Sequence, residues 1–174
     1  MLAVLGIDPG SRWTGGVLRH GDAAVYGWTV GPGSEADAKA LDDADDLAAV
    51  ARYVGRIMER IETTLDLAEQ RGIARVRLGV ELVKVPTGWS HGRRTSIRLT
   101  DWLVPRQVSA AVLGAYPDTR IVLPERHGRG DLDSYPVELR RRRPPGWGVN
   151  DTARGERDHE RAAYDIAGMA AGQP

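Results

Sequence analysis

Leu2 to Ile7 is an apolar run that stops at Asp8-Pro9-Gly10, the pattern of a buried strand closed by a turn. Two more strand-like stretches follow at once, Thr14 to Arg19 and Ala23 to Val30, joined by His20-Gly21-Asp22 as a hairpin-type connection. Three strands in an antiparallel meander commit the chain early. Doubly wound parallel folds seldom open this way, and the apolar strands need helices from further along the chain to cover them.

Those helices are readable. Gly31 to Ala40 is small and polar, so a loop is expected there. From Leu41 onward, Leu47, Val50, Ala51, Val54, Ile57, Met58, Ile61 and Leu65 recur at three- and four-residue steps, which predicts a long amphipathic helix. Asp42, Asp43, Asp45 and Asp46 suit its positive end, and Arg71-Gly72 closes it. Arg75 to Val83 predicts a fourth strand, Lys84 to Arg94 a loop of Gly, Pro and Trp, and Thr95 to Ala115 a helix that Pro105 should kink or divide. Arg120 to Leu123 is a short fifth strand. Pro124 to Gly155 is a long, basic loop rich in Pro and Gly, and Glu156 to Ala171 is a last helix. The expectation is one α/β domain over residues 1–174, built on a mixed five-stranded sheet with three antiparallel strands first and helices flanking it.

Charge is divided along the chain. The totals balance at 24 basic and 24 acidic residues. Yet Glu35 to Arg71 holds ten acids against five bases, and Lys84 to Arg143 holds twelve bases against six acids. Such a split points to a polyanion-facing side and a solvated side. All but two of the bases are Arg, which suits bidentate contact with phosphate and also follows from a GC-rich genome. With no Cys, disulfides, zinc knuckles, iron–sulfur clusters and a thiol nucleophile are excluded. The apolar start is only seven residues long, too short for a membrane helix and without a basic lead-in or cleavage site. A soluble protein of the cytoplasm is expected, the host-cell cytoplasm if the gene is a phage's.

Acids stand where burial makes them costly. Asp8 ends an apolar strand, and Glu81 interrupts Leu78-Gly79-Val80-Glu81-Leu82-Val83, where an unpaired carboxylate would cost several kcal/mol. In the last helix Asp158 and Asp165 are seven apart, within roughly 20° of each other, on a stripe with Ala162 and Met169. Both are expected to face the packed side, with Glu160 and Tyr164 pointing away. Carboxylates from two strands and a packed helix coexist only around a cation. Oxygen donors without Cys favour Mg²⁺ or Mn²⁺, and two such ions about 4 Å apart are suited to cleaving phosphodiesters.

Leu5-Gly6-Ile7-Asp8-Pro9-Gly10-Ser11-Arg12-Trp13-Thr14-Gly15 resembles the opening of the RuvC family of Holliday-junction resolvases, GIDPGxxxTG, and of its phage-encoded relatives. The order of elements resembles that family over nearly the whole chain, down to Val80-Glu81 and Tyr164-Asp165-Ile166-Ala167-Gly168, although only the first motif is specific. The resemblance implies an RNase H-like fold and a divalent-metal site holding two ions, built from Asp8, Glu81 and the last helix. It also implies a branched-DNA substrate (four-way junctions, with forks and flaps open) and a homodimer, since symmetric resolution needs two sites. One departure matters. The family places an acid or His in that helix and an acid three residues later, whereas here His159 is followed by Ala162 and Asp158 by Arg161. Either Asp165 acts as the second acid with Ala162 in the first position, or Asp158 and Asp165 act from successive turns. The second is preferred because both face one way. His159 is a candidate ligand or proton shuttle, with a structural role as its alternative.

DNA contacts are expected from Arg12 in the first turn, from Lys84, Trp89, His91, Arg93 and Arg94 after Glu81, and from Arg140, Arg141, Arg142, Arg143 and Trp147 before the last helix. Basic side chains bind phosphate regardless of base, and Trp stacks on unpaired bases. Three rival readings differ in class. Sugar kinases and actin-like ATPases share a similar first strand but need a duplicated domain that 174 residues do not accommodate. YqgF-like RNA-processing proteins usually lack the Pro after Asp. A junction-binding module that no longer cleaves is the reading favoured by Ala162.

Overall fold

The computed structural model describes residues 2–43, 45–84, 89–90, 93–94, 98–125, 127–140 and 143–172, with the side chains of 89–90 and 93–94 outside the description. Strands β1 (Ala3–Asp8), β2 (Thr14–His20) and β3 (Ala23–Val30) form the antiparallel meander. β4 (Val76–Glu81) adds parallel to β1, and β7 (Arg120–Val122) adds parallel to β4. The sheet order is β3-β2-β1-β4-β7, so the first strand is the central one. Two-residue strands β5 (Trp89–Ser90) and β6 (Arg93–Arg94) pair as a separate ribbon where a plain loop was expected.

Side-chain alternation assigns the two faces of the sheet. Ala3, Leu5 and Ile7 point to one side, where they pack with Tyr53, Ile57 and Ile61 of α2 (Leu47–Gln70) and Val104, Val108 and Val112 of α3 (Thr100–Ala115). Val4, Gly6 and Asp8 point to the other side, which α5 (Asp158–Ala171) covers with Ala163, Ile166, Ala167 and Ala170. Among the described residues, no helix is long and apolar enough to cross a membrane.

Several local expectations change. Gly31 to Ala40 is not all loop, because Ser34 accepts from the Asp37 amide and caps the short helix α1 (Glu35–Ala40). The long helix starts at Leu47 and not at Leu41, since Asp46 caps it through the Ala49 amide at 2.8 Å. It ends as expected, with Gly72 at φ +75° beyond its last turn. Pro105 leaves α3 undivided. It sits in the second turn, where the missing N–H forfeits one bond to the first turn. The stretch from Pro124 to Gly155 holds a 3-10 turn (Leu132–Ser134) and α4 (Val137–Arg140). Its later part lies along β3: Thr29 donates to Val149 O and Asp151 to Thr29 O, both at 2.9 Å. These bonds cover a sheet edge otherwise left with unpaired backbone groups.

Candidate active site

Asp8 and Glu81 come together through register. Ile7 stands opposite Val80, so the next residues on these parallel strands, Asp8 and Glu81, end side by side. Both fall on the face that α5 covers. This is the crevice beyond the carboxyl ends of parallel strands, where open α/β sheets bind ligands. The turn after Asp8 is held from the other face. Gly10 N donates to Thr14 Oγ1 at 3.3 Å, and the Thr14 hydroxyl meets Tyr53 OH of α2 at 2.9 Å.

Glycines set the distance of α5 from the sheet. A Cβ at Gly6 would stand 2.0 Å from the Ala163 carbonyl oxygen, and one at Gly15 would stand 2.3 Å from the His159 carbonyl oxygen. At Gly79 it would meet the Ala170 methyl at 2.6 Å. The helix therefore lies in a trough with no side chains, and its first turn drops onto Asp8. His159 Nδ1 is 2.8 Å from Asp8 Oδ2.

A cavity of about 430 Å³ opens there, lined by Asp8, Glu81, Asp158, His159 and Ala162. The loop after β7 closes its other side with Glu125, His127, Gly128 and Arg129. Burial, and then the charge of Asp8, push the Glu81 carboxyl up to about 7, against the opposing pull of His127 and the Glu125 backbone. His127 Nε2 lies 3.6 Å from Glu81 Oε1 and 3.1 Å from Leu123 O. For His159, burial works against the charged ring, but the hydrogen bond and charge of Asp8, with Asp158, outweigh it and raise its pKa.

Asp165 does not join this cavity. Its Oδ2 accepts from the Gly128 amide at 2.8 Å and from Tyr135 OH at 2.9 Å, so it anchors the loop after β7. The outward orientation expected for Glu160 and Tyr164 is also overturned: both are buried. The cause is that this stripe of α5 lies between β2–β3 and the segment before the helix: Tyr164 packs with Val17, Ala24 and Tyr135, and its hydroxyl donates to Asp22 O at 2.8 Å. Glu160 is fully buried, paired with Arg157 and bonded by Trp147 Nε1 at 3.0 Å. Asn150 and Thr29 reach its other oxygen, each at 3.4 Å.

That pairing corrects Trp147 as a base-stacking residue. Its indole is spent on Glu160, on the face of Arg157 and on Tyr26, with Gly27 making room for it. Arg140 is likewise committed, to the Tyr135 carbonyl, to the Asp133 carbonyl at 2.6 Å and to the Asp133 carboxylate at 3.5 Å. Arg143 donates to Gly148 O. Arg12 and Lys84 stay accessible, in a groove of about 430 Å³ that shares Glu81 and His159 with the acidic cavity. His91, Arg141 and Arg142 lie outside the described residues, as do the side chains of Trp89, Arg93 and Arg94.

The donor set suits a hard divalent cation. Asp8, Glu81 and Asp158 offer carboxylate oxygens to one cavity, and burial beside Asp8 raises the Glu81 carboxyl despite His127. Among the described residues, no three His, Asp or Glu side chains already converge closely enough to hold one ion. Two of the groups are instead taken up by imidazoles, Asp8 by His159 and Glu81 by His127.

The sheet order and flanking helices define a mixed α/β protein, with its candidate site at the ends of the parallel strands β1 and β4. No protein-family model matches the chain, and no curated protein matches it. Among solved structures it is similar to T. thermophilus RuvC in complex with Holliday junction substrate, at 17% identity and a TM-score of 0.47. That alignment covers 98% of this chain and 93% of the other.

Proposed function

We propose that this chain is a divalent-cation-dependent endonuclease that cuts branched DNA, four-way junctions foremost, by phosphodiester hydrolysis. One observation carries the reading. Asp8 and Glu81 end adjacent strands in a single open cavity with Asp158, and their mutual repulsion helps hold Glu81 up near neutrality. Among the described residues, no Lys or Arg pairs with Asp8 or Glu81; each meets only an imidazole, which a cation can displace. The opening motif, with its Asp8-Pro9-Gly10 turn and its trough glycines, is what brings α5 to Asp8.

Asp8, Glu81 and Asp158 would hold Mg²⁺ or Mn²⁺, two ions per site. Such ions supply a reactive water at neutral pH and stabilisation for the leaving oxygen. His159, oriented by Asp8, would move a proton at the edge of the cavity. Arg12 and Lys84 would hold backbone phosphates in the adjoining groove. A second copy of the chain would supply the second cut of a symmetric junction.

The test is cleavage of synthetic four-way, forked and linear DNA, and of a structured RNA, with Mg²⁺ or Mn²⁺, comparing wild type with Asp8→Asn. Branched substrates should be cut by wild type only, and Asp8→Asn should still bind them. Binding without any cutting by wild type would make the chain a junction-binding module. Preferential cleavage of RNA would make it an RNA-processing nuclease.

A further inference from the structure

We infer that Glu125, on the loop after β7, supplies the cation site with the carboxylate that α5 lacks at Ala162, and that Asp165 is the positioning residue that sets this loop in place. The inference rests on the cation reading above.

Glu125 lines the same cavity as Asp8, Glu81 and Asp158. Its backbone also reaches the Glu81 carboxylate, so the chain at this point is at the site itself. Among the described residues its own carboxylate has no hydrogen-bond or ion-pair partner, unlike those of Asp8 and Glu81.

Ala162 is what lets the loop sit there. A Cβ at Gly128 would stand 2.8 Å from the Asp158 carbonyl oxygen and 3.1 Å from the Ala162 Cβ. Gly128 also has φ +74°, a conformation that favours glycine. The loop thus lies directly on α5 at residue 162. A carboxylate side chain on Ala162 would need the space that the loop fills, so the short side chain and the close loop are one arrangement.

Asp165 explains how that arrangement is kept. It accepts from Gly128 N and from Tyr135 OH, while Gly130 N donates to the same tyrosine oxygen at 3.2 Å. An acid on the cavity-side stripe of α5 therefore acts one step removed. It ties down the loop that carries Glu125.

Manganese titration of the full chain, with free Mn²⁺ followed by electron paramagnetic resonance, tests both halves without relying on cleavage. Glu125→Gln should weaken Mn²⁺ binding about tenfold or more, because affinity follows the count of charged ligands, and should leave the melting temperature in chelator unchanged. Asp165→Ala should weaken binding too, while Asp165→Asn, which keeps an oxygen acceptor for Gly128 and Tyr135, should bind like wild type. Wild-type affinity in Glu125→Gln, or an Asp165→Asn protein as weak as Asp165→Ala, would overturn the inference. Asp8→Asn is the control for the reading beneath it. If Asp8→Asn also binds Mn²⁺ like wild type, the cation site itself is wrong and the inference falls with it. If Asp8→Asn loses binding while Glu125→Gln keeps it, the inference alone is wrong.

Discussion

Glu81 is half-enclosed between Asp8 and the loop after β7, and its carboxyl is held up to about 7 from an ordinary 4.5. A group whose folded pKa is raised binds more protons in the folded state than in the unfolded one. Stability should therefore fall as pH rises from about 4.5 to about 7. The raised pKa of His159 acts in the same sense, favouring the folded state while the ring is protonated. Without added cation, Glu81→Gln should give a flatter melting-temperature profile across that window and a more stable protein above pH 7. Saturating Mg²⁺ should close the gap by stabilising wild type. Superimposable profiles for the two proteins would show that Glu81 carries no such strain. The same physics makes this residue legible in the sequence, since a carboxylate between Val80 and Leu82 in a strand has no inexpensive explanation. Asp165 looks equally costly, yet its partners are a loop amide and a tyrosine hydroxyl contributed by residues 128 and 135. No periodicity announces such partners. Glu125 and His127 escape a sequence reading for the same reason, lying in a Pro- and Gly-rich stretch without a repeat.

The α5 helix is where sequence pattern succeeds in placement and fails in orientation. Its existence and span are clear from composition. Which stripe packs is not, because the packed stripe of Glu160, Ala163, Tyr164 and Ala167 carries an acid and a tyrosine that a hydrophobicity reading turns outward. Ala163 and Tyr164 pack together with Val17 and Ala24 of the sheet, while Tyr135, Leu139 and the Trp147 indole complete the cover over Tyr164 and Glu160. Glycines in β1, β2 and β4 set the spacing to the sheet, and they differ sharply from glycines elsewhere. Gly15→Ala would put a Cβ 2.3 Å from a helix carbonyl oxygen; it should cost about 1–3 kcal/mol through overpacking and disrupt the Asp8–His159 hydrogen bond. Gly55→Ala, in the middle of α2 with nothing within 4 Å, should instead stabilise by roughly 0.5–1 kcal/mol. Urea unfolding of both variants checks the pair, and equal effects would mean that the trough is not what spaces the helix. The buried Glu160–Arg157 pair gives a third case. Glu160→Gln leaves a guanidinium without its counter-charge and should cost about 3–5 kcal/mol, whereas breaking a solvent-screened surface pair such as Arg52–Asp37 should barely move the unfolding midpoint.

Across the whole molecule, the described basic residues fall into groups that composition does not distinguish. Arg140 and Arg143 are engaged by carbonyls of their own loop, and Arg56 ties α2 to Asp151 and Gly31. Arg12 and Lys84 instead border the groove that adjoins the acidic cavity. On the proposed reading, side chains of the second group are placed to release counterions when DNA binds. Removing one phosphate-binding side chain should lower the slope of log affinity against log salt by about 0.9. In an Asp8→Asn background, which removes cleavage as a complication, Arg12→Gln with Lys84→Gln should weaken binding to four-way and linear DNA alike and reduce the salt slope by roughly 2. Arg140→Gln with Arg143→Gln should leave the slope nearly unchanged and should show its effect in the unfolding midpoint, because it removes the bonds that shape residues 133–148. The reverse ranking would place the DNA on the far side of α4, next to α5, and would move the substrate path away from the groove at Glu81. Fluorescence anisotropy over a range of salt concentrations, with both substrates and both double variants, separates the two paths.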